Sequence, residues 1–293
     1  MDSRRLGYAF TLLAIAIFCL QDALSKHLGG IYPPIFIAMI RFWAFACFVT
    51  VLGARGPGGL RAAVSTRRPV LQVFRGALLA FQVALIITAF AEVGLARSQA
   101  ILASAPLFVA MLSMPFLGER VGWQRWSAIV VGLCGVLLIL SPEGGAFDAG
   151  LLMPLVGALL FAIYVIATRL ANRSDPAGTS FFYTGVAGAV AISLIGPFYW
   201  TGFAPADWPL MGLLCVTGIA SHYFLIRAYD LLDASAVQPL TYLQVVLAAA
   251  VGVVVFGETL NLNMIAGSAI VVVAGIFTLW RENVVARRMG KGK

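Results

Sequence analysis

Apolar stretches long enough to cross a bilayer follow one another through nearly the whole of this chain, and that succession rules out most folds. A spanning helix needs roughly 17–25 residues, and such stretches fall at about 6–27, 33–53, 70–91, 97–117, 122–141, 150–171, 179–201, 206–228, 235–256 and 261–281. The longest hydrophilic connection, residues 54–69, is too short for a soluble domain. With 61% hydrophobic and 11% charged residues and a mean hydropathy of +0.96, the chain carries more apolar surface than one soluble core could bury. The alternating pattern of an outer-membrane barrel strand is absent, so the spans are read as helices, which satisfy their own backbone hydrogen bonds in lipid. The expectation is an all-α polytopic membrane protein with ten transmembrane helices.

Charge orients them. With a cytoplasmic N-terminus, the inner positions carry Arg4, Arg5, Arg55, Arg61, Arg67, Arg68, Arg120, Arg125, Arg169, Arg173 and Arg227. The basic tail adds Arg281, Arg287, Arg288, Lys291 and Lys293, whereas only Lys26 and Arg97 fall near the outer side. Cytoplasmic loops collect Lys and Arg, so both termini are expected inside, in a bacterial-type inner membrane. The net charge of +8 then reflects topology and anionic lipid, and no nucleic-acid partner is called for. Arg4 and Arg5 precede an apolar run, as in a secretion signal. That run lacks an A-x-A-like cleavage site, so an uncleaved first helix is expected.

Several chemistries find no support. Cys19, Cys47, Cys134 and Cys215 lie inside apolar stretches without the spacing of a disulfide framework or zinc site, and His27 and His222 are isolated. There is no Walker motif and no G-x-S-x-G elbow. No catalytic residue, metal, cofactor or ATPase subunit is therefore expected, and the chain reads as a non-enzyme whose partners are a small-molecule substrate and membrane lipid.

Each half repeats one phrase. AFAEVGLARSQAILASAPLFVAMLSMPFLGE (89–119) lies over AYDLLDASAVQPLTYLQVVLAAAVGVVVFGE (228–258) at an offset of 139, pairing Gln99 with Gln238, Gly118 with Gly257 and Glu119 with Glu258. An offset of 143 lays FCLQDALSK (18–26) over FAIYVIATR (161–169), pairing Gln21 with Tyr164, Ser25 with Thr168 and Lys26 with Arg169. Each half holds an odd number of spans, so the two enter the membrane in opposite senses, a plan shared by many secondary transporters. The division is residues 1–141 (helices one to five) and 142–293 (helices six to ten, with the basic tail).

The repeated phrase, together with FCLQDALSK, PPIFIAMIRF (33–42), Pro106 and the Gly118-Glu119 pair, resembles the EamA repeat of the drug/metabolite transporter superfamily. That resemblance implies ten helices as two inverted five-helix units and a transport function. Within the superfamily the chain looks most like YddG-like aromatic amino-acid exporters. The second half departs from the pattern, with Thr184 near where Arg41 would fall and Val245 opposite Pro106.

Polar residues at matching depth mark a candidate pathway, because a polar group in hydrocarbon is costly unless it faces a partner or water. Asp22 and Lys26, at i and i+4, either neutralise each other or contact a charged solute. Arg41 either braces the first helix or binds an anionic group, and Arg75, near a helix end, is read as reaching the headgroups. Gln21, Ser25, Gln82, Ser221, Gln238, Thr241 and Gln244, with Tyr164, Tyr223 and Tyr242, offer neutral hydrogen bonds and stacking surface; tyrosine also serves helix contacts without a ligand. His222 is a proton-coupling candidate or a hydrogen-bonded structural histidine. Lys26 and Arg169 are gate candidates at opposite ends. Gly118, Glu119, Gly257 and Glu258 read as structural caps between spans, and Pro106 and Pro239 as kink sites.

The expected function is a secondary transporter exporting small metabolites, aromatic or hydrophobic amino acids first, by alternating access to a central cavity lined by helices one to four and six to nine. Another solute such as a nucleoside, drug or vitamin, a channel, and a membrane-embedded enzyme are the alternatives.

Overall fold

The computed structural model describes residues 3–118, 122–141, 148–232 and 234–290, with the backbone alone for residues 125, 229, 230, 234, 235, 238 and 282–290. Among the described residues the chain is helical throughout, without strands. The helices are α1 (Ser3–Gly29), α2 (Pro34–Arg55), α3 (Gly59–Val64), α4 (Pro69–Glu92), α5 (Leu95–Leu102), α6 (Ala105–Leu117), α7 (Trp123–Leu140), α8 (Leu152–Ala171), α9 (Ala177–Ser193), α10 (Trp208–Leu231), α11 (Ala234–Thr241), α12 (Leu243–Phe256) and α13 (Leu262–Gly290). Eight stretches are long and apolar enough to cross a bilayer, the joined pairs α5–α6 and α11–α12 among them. Two expected spans are shorter. The apolar part of α7 begins only at Trp126, after Gln124 and Arg125, and α9 stops at Ser193 before a 3-10 turn over Gly196–Tyr199.

The fourth and ninth spans are each broken in two, at corresponding places. Pro106 occupies the first turn of α6, where its missing N–H costs nothing, and α5 ends just before it at Leu102. In the second repeat Pro239 lies inside α11, which stops at Thr241, and Tyr242 turns the chain into α12. Gly118 and Gly257 end α6 and α12 with φ of 74° and 65°, left-handed values that a side chain disfavours, so both serve as C-caps.

Packing follows the internal symmetry. The pair α1 and α10 has its counterpart in α8 and α4, while α2 faces α9, α5 faces α12, and α7 faces α13. The α7–α13 contact brings two backbones together. A Cβ on Gly267 would fall 2.6 Å from the carbonyl oxygen of Gly135, and one on Gly135 would fall 2.9 Å from that of Gly267. Two backbones therefore touch without side chains between them, as small residues allow in lipid. Gly267→Ala is expected to force these helices apart and destabilise the protein by about 1–3 kcal/mol; an unchanged melting temperature in detergent would refute it. The outward faces stay apolar, with Val70, Leu194 and Val254 each more than 70% uncovered by protein, as a lipid-facing surface requires.

The end of the bundle opposite the two termini is plugged. The chain between α9 and α10 folds over the start of α2, where Tyr32, Phe36, Trp200, Phe203 and Trp208 pack ring against ring. Tyr32 donates its hydroxyl proton to Asp207 at 2.6 Å and accepts from the N–H of Ala204.

Candidate functional site

A cavity of about 640 Å³ lies between the two halves. Its lining comes from α1, α2, α4, α5, α6, α8, α10, α11, α12 and α13, and extends past Ser113, Arg169 and Thr278 toward the end of the bundle that carries the termini. Two expectations about its walls need correction. The tenth span lines it through Thr278 and Leu279, and no residue of α9 does. The reason for the second lies in Arg75.

Arg75 does not reach the headgroups. Its side chain is 1% exposed, and its guanidinium bonds Gln72 Oε1 at 2.7 Å, Thr168 Oγ1 at 3.1 Å, Thr184 Oγ1 at 2.8 Å and the carbonyl of Ser180, beneath the ring of Tyr164. These partners stand on α4, α8 and α9, so one cation knits three helices and draws α9 against α4 and away from the cavity. A guanidinium supplies five N–H donors in a rigid plane, which a ring of neutral acceptors can saturate. The first repeat has a matching contact, Arg41 Nη1 to Ser25 Oγ at 3.3 Å. Ser25 corresponds to Thr168 and Arg41 to Thr184, so the arginine missing from the second repeat is replaced by one from the first. Gln72 continues the network to Ser180 and Asp175. Burial opposes the charge of Asp175, but hydrogen bonds from Thr66, the Arg67 N–H and Gln72, with Arg68 nearby, hold its carboxyl below the ordinary carboxylate value.

The blind end of the cavity is polar. Asp22 is 7% exposed and accepts from Gln99 Nε2 at 2.5 Å and Gln244 Nε2 at 2.7 Å, one amide from each repeat. Gln21, Ser25, Arg41, Gln82 and His222 line the same space, as do Thr241 and Tyr242. Gln82 reaches the carbonyl of Gly157 only at 3.5 Å, and His222 Nδ1 sits 2.8 Å from the carbonyl of Gly218 with its ring edge-on to Phe18. The hydroxyl of Tyr242 is buried and has no hydrogen-bond partner among the described residues. Phe18, Phe90, Phe161, Val165 and Pro106 supply much of the apolar remainder.

Asp22 and Lys26 do not pair. Lys26 instead forms an ion pair with Glu258, one turn nearer the plugged end, and lies 4.3 Å from the ring centroid of Phe256. Glu258 is not a cap for the helix that follows it. Its two oxygens accept the N–H groups of Leu95 at 2.6 Å and Ala96 at 2.9 Å, the open first turn of α5 in the other repeat. A carboxylate is favoured there because those donors lack helical partners and carry the positive end of the helix dipole. Gly94 and Gly252 make room, since a Cβ on either would come within 3.1 Å and 2.7 Å of the Glu258 carboxylate.

Other candidates lie elsewhere. Ser221 is buried with its hydroxyl on the carbonyl of Gly218, Tyr223 is 56% exposed on the outer face of α10, and Tyr164 serves Arg75 and packs against Phe161. Arg169 lines the cavity toward its terminal end. Glu119 and the side chain of Gln238 fall outside the described residues. Sequence reasoning missed Gln99 as a site residue, although the repeat had already singled it out beside Gln238.

The EamA-like transporter family model matches residues 5–141 and again residues 148–280. The S-adenosylmethionine uptake transporter of Rickettsia prowazekii is 26% identical over 94% of this chain and 93% of its own length. A riboflavin transporter of Rhizobium johnstonii is 28% identical over 94% of this chain and 89% of its own, and the pseudopaline exporter of Pseudomonas aeruginosa is 28% identical over 94% and 96%. One solved crystal structure, 21% identical and covered over 98% of both chains, has a TM-score of 0.62, which is a likeness of fold.

Proposed function

The chain belongs to the EamA-like transporter family, and from that premise we propose that it is a secondary carrier moving one small organic metabolite by alternating access through the cavity between its halves. The observation that carries this reading is the contrast between the two ends. One end is plugged by the aromatic cluster and by Lys26 and Glu258 on α5, while the lining of a cavity with a polar floor runs toward the other. With the termini cytoplasmic, as the basic loops favour, this is the inward-facing form. The broken spans α5–α6 and α11–α12, which meet across the repeat boundary, are the elements that bend as one half rocks against the other. No covalent step is required.

Among the solutes named for relatives, S-adenosylmethionine leads, because several transporters of that name align over nearly the whole chain. Amino-acid export is the second reading, favoured by the charged pair Asp22 and Arg41 at the cavity floor. Direction follows whatever gradient is coupled. Counterflow in proteoliposomes loaded in turn with S-adenosylmethionine, tryptophan and riboflavin is expected to give saturable, protein-dependent exchange for at least one solute. Leak that neither saturates nor competes would sink the carrier reading.

A further inference from the structure

The floor of the cavity is built unevenly, and the unevenness is chemical. Both amides that reach Asp22 fall on Oδ2, so among the described residues Oδ1 receives no hydrogen bond. One residue earlier on α1, Oε1 of Gln21 is buried and has no partner among the described residues, although the residue lines the cavity and is 8% exposed. A buried acceptor without a donor, Gln21 Oε1, thus stands one residue from a carboxylate oxygen that accepts no hydrogen bond among the described residues. A buried acceptor left unmade is costly, so the arrangement asks for a donor.

The complementary group stands beside them. Arg41 gives one N–H to Ser25, forms no ion pair with Asp22, and lines the cavity. Gly218 of α10 lets both side chains lie against its backbone, since a Cβ there would be 3.3 Å from Gln21 Oε1 and 3.8 Å from Arg41 Nη2. Gln21 Oε1 and the Arg41 guanidinium are therefore held against one glycine, with Asp22 the next residue on α1. Above them the walls are apolar, with Phe18, Phe90 and Phe161 among them.

Resting on the carrier reading, we propose that this floor is a receptor for a zwitterionic α-amino-acid head, its ammonium on Asp22 Oδ1 and Gln21 Oε1 and its carboxylate on Arg41, with the rest of the solute as an apolar or aromatic body in the cavity above. Gln99 and Gln244 are positioning residues. By occupying Oδ2 from opposite repeats they aim Oδ1 at the head and tie its recognition to the closeness of the two halves. S-adenosylmethionine carries such a head and riboflavin does not, so the site divides the solutes named for relatives.

The test is equilibrium binding to the purified full chain in detergent, by calorimetry, with tryptophan, tryptamine and indole-3-propionate, which share a ring but lose the carboxylate or the ammonium in turn. S-adenosylmethionine is compared likewise with 5′-methylthioadenosine, which lacks the head. Each headed solute that binds is expected to do so tighter than its truncated partners by roughly tenfold or more, the worth of one hydrogen bond to a charge. Asp22→Asn should abolish the advantage of the ammonium, and Arg41→Gln that of the carboxylate. Truncated probes binding as well as whole ones, or neither headed probe binding, would overturn the proposal on the wild-type protein alone. So would variants that weaken every probe equally. Discrimination without counterflow would reject the carrier and keep the receptor, whereas counterflow of riboflavin without discrimination would do the reverse.

Discussion

Glu258→Ala is expected to open the plugged end of the molecule. The substitution strands the Lys26 ammonium and uncovers the N–H groups of Leu95 and Ala96, all three of which the carboxylate now serves. Removing one partner of a part-buried, hydrogen-bonded pair costs about 3 kcal/mol, the low end for a fully buried one, and all of that loss falls on the state in which α12 sits on α5. A two-state equilibrium shifted by that amount moves by roughly two orders of magnitude or more. The measurement is labelling of Ser25→Cys, in a background free of the native cysteines, by an impermeant maleimide added on the plugged side. Ser25 is 1% exposed in the present form. A labelling rate at least tenfold higher with Glu258→Ala is the expected outcome; an unchanged rate would mean that Glu258 holds nothing shut. The double exchange Lys26→Glu with Glu258→Lys should fail to restore the closed state. A lysine cannot accept from the α5 amides, although it could reform a simple ion pair.

Arg75→Ala should be the most damaging single change to stability. It leaves Gln72, Ser180, Thr184 and Thr168 turned toward a void at a position where water is excluded, and it unlinks α4, α8 and α9 together. Unsatisfied buried groups and the cavity together cost on the order of 3–5 kcal/mol. For a chain of this size that is a fall of roughly 5–15 °C in melting temperature. Arg75→Lys should recover less than half, because a single ammonium cannot span acceptors on three helices. Thermal unfolding in detergent, followed by the intrinsic tryptophans, checks both. If Arg75→Ala melts with the wild type, the guanidinium is not the hub its contacts describe.

What could be seen in the sequence was whatever a linear pattern encodes. Hydropathy located the helices because lipid must be faced by apolar residues over a fixed length, and Pro106 and Pro239, although the 139-residue offset does not align them, each marked a span that breaks. Gly118 and Gly257 were legible as caps because a left-handed residue at a helix end has a local cause. Partner choice across 232 positions does not. Asp22 and Lys26 look like mates at i and i+4, yet Lys26 meets Glu258, and Asp22 meets Gln99 and Gln244. Nothing in the spacing of a single helix says which face a neighbour will fill. Arg75 was misread for the same reason: a cation near a helix end usually reaches for headgroups, and only the crossing of α4 with α8 and α9 gives it better acceptors inside. The missing arginine at Thr184 was visible as a departure from the repeat, but its replacement from another helix was not.

The inverted repeats match in outline and differ in charge. Where the first places Asp22 and Arg41, the second places Val165 and Thr184, and it meets Asp22 at the cavity floor with the neutral amide of Gln244, beside His222, Thr241 and Tyr242. A solute gripped by its charged head is then a passenger seated in one half of the molecule. The other half is upholstery and door, able to swing across without ever having to let go of the rider.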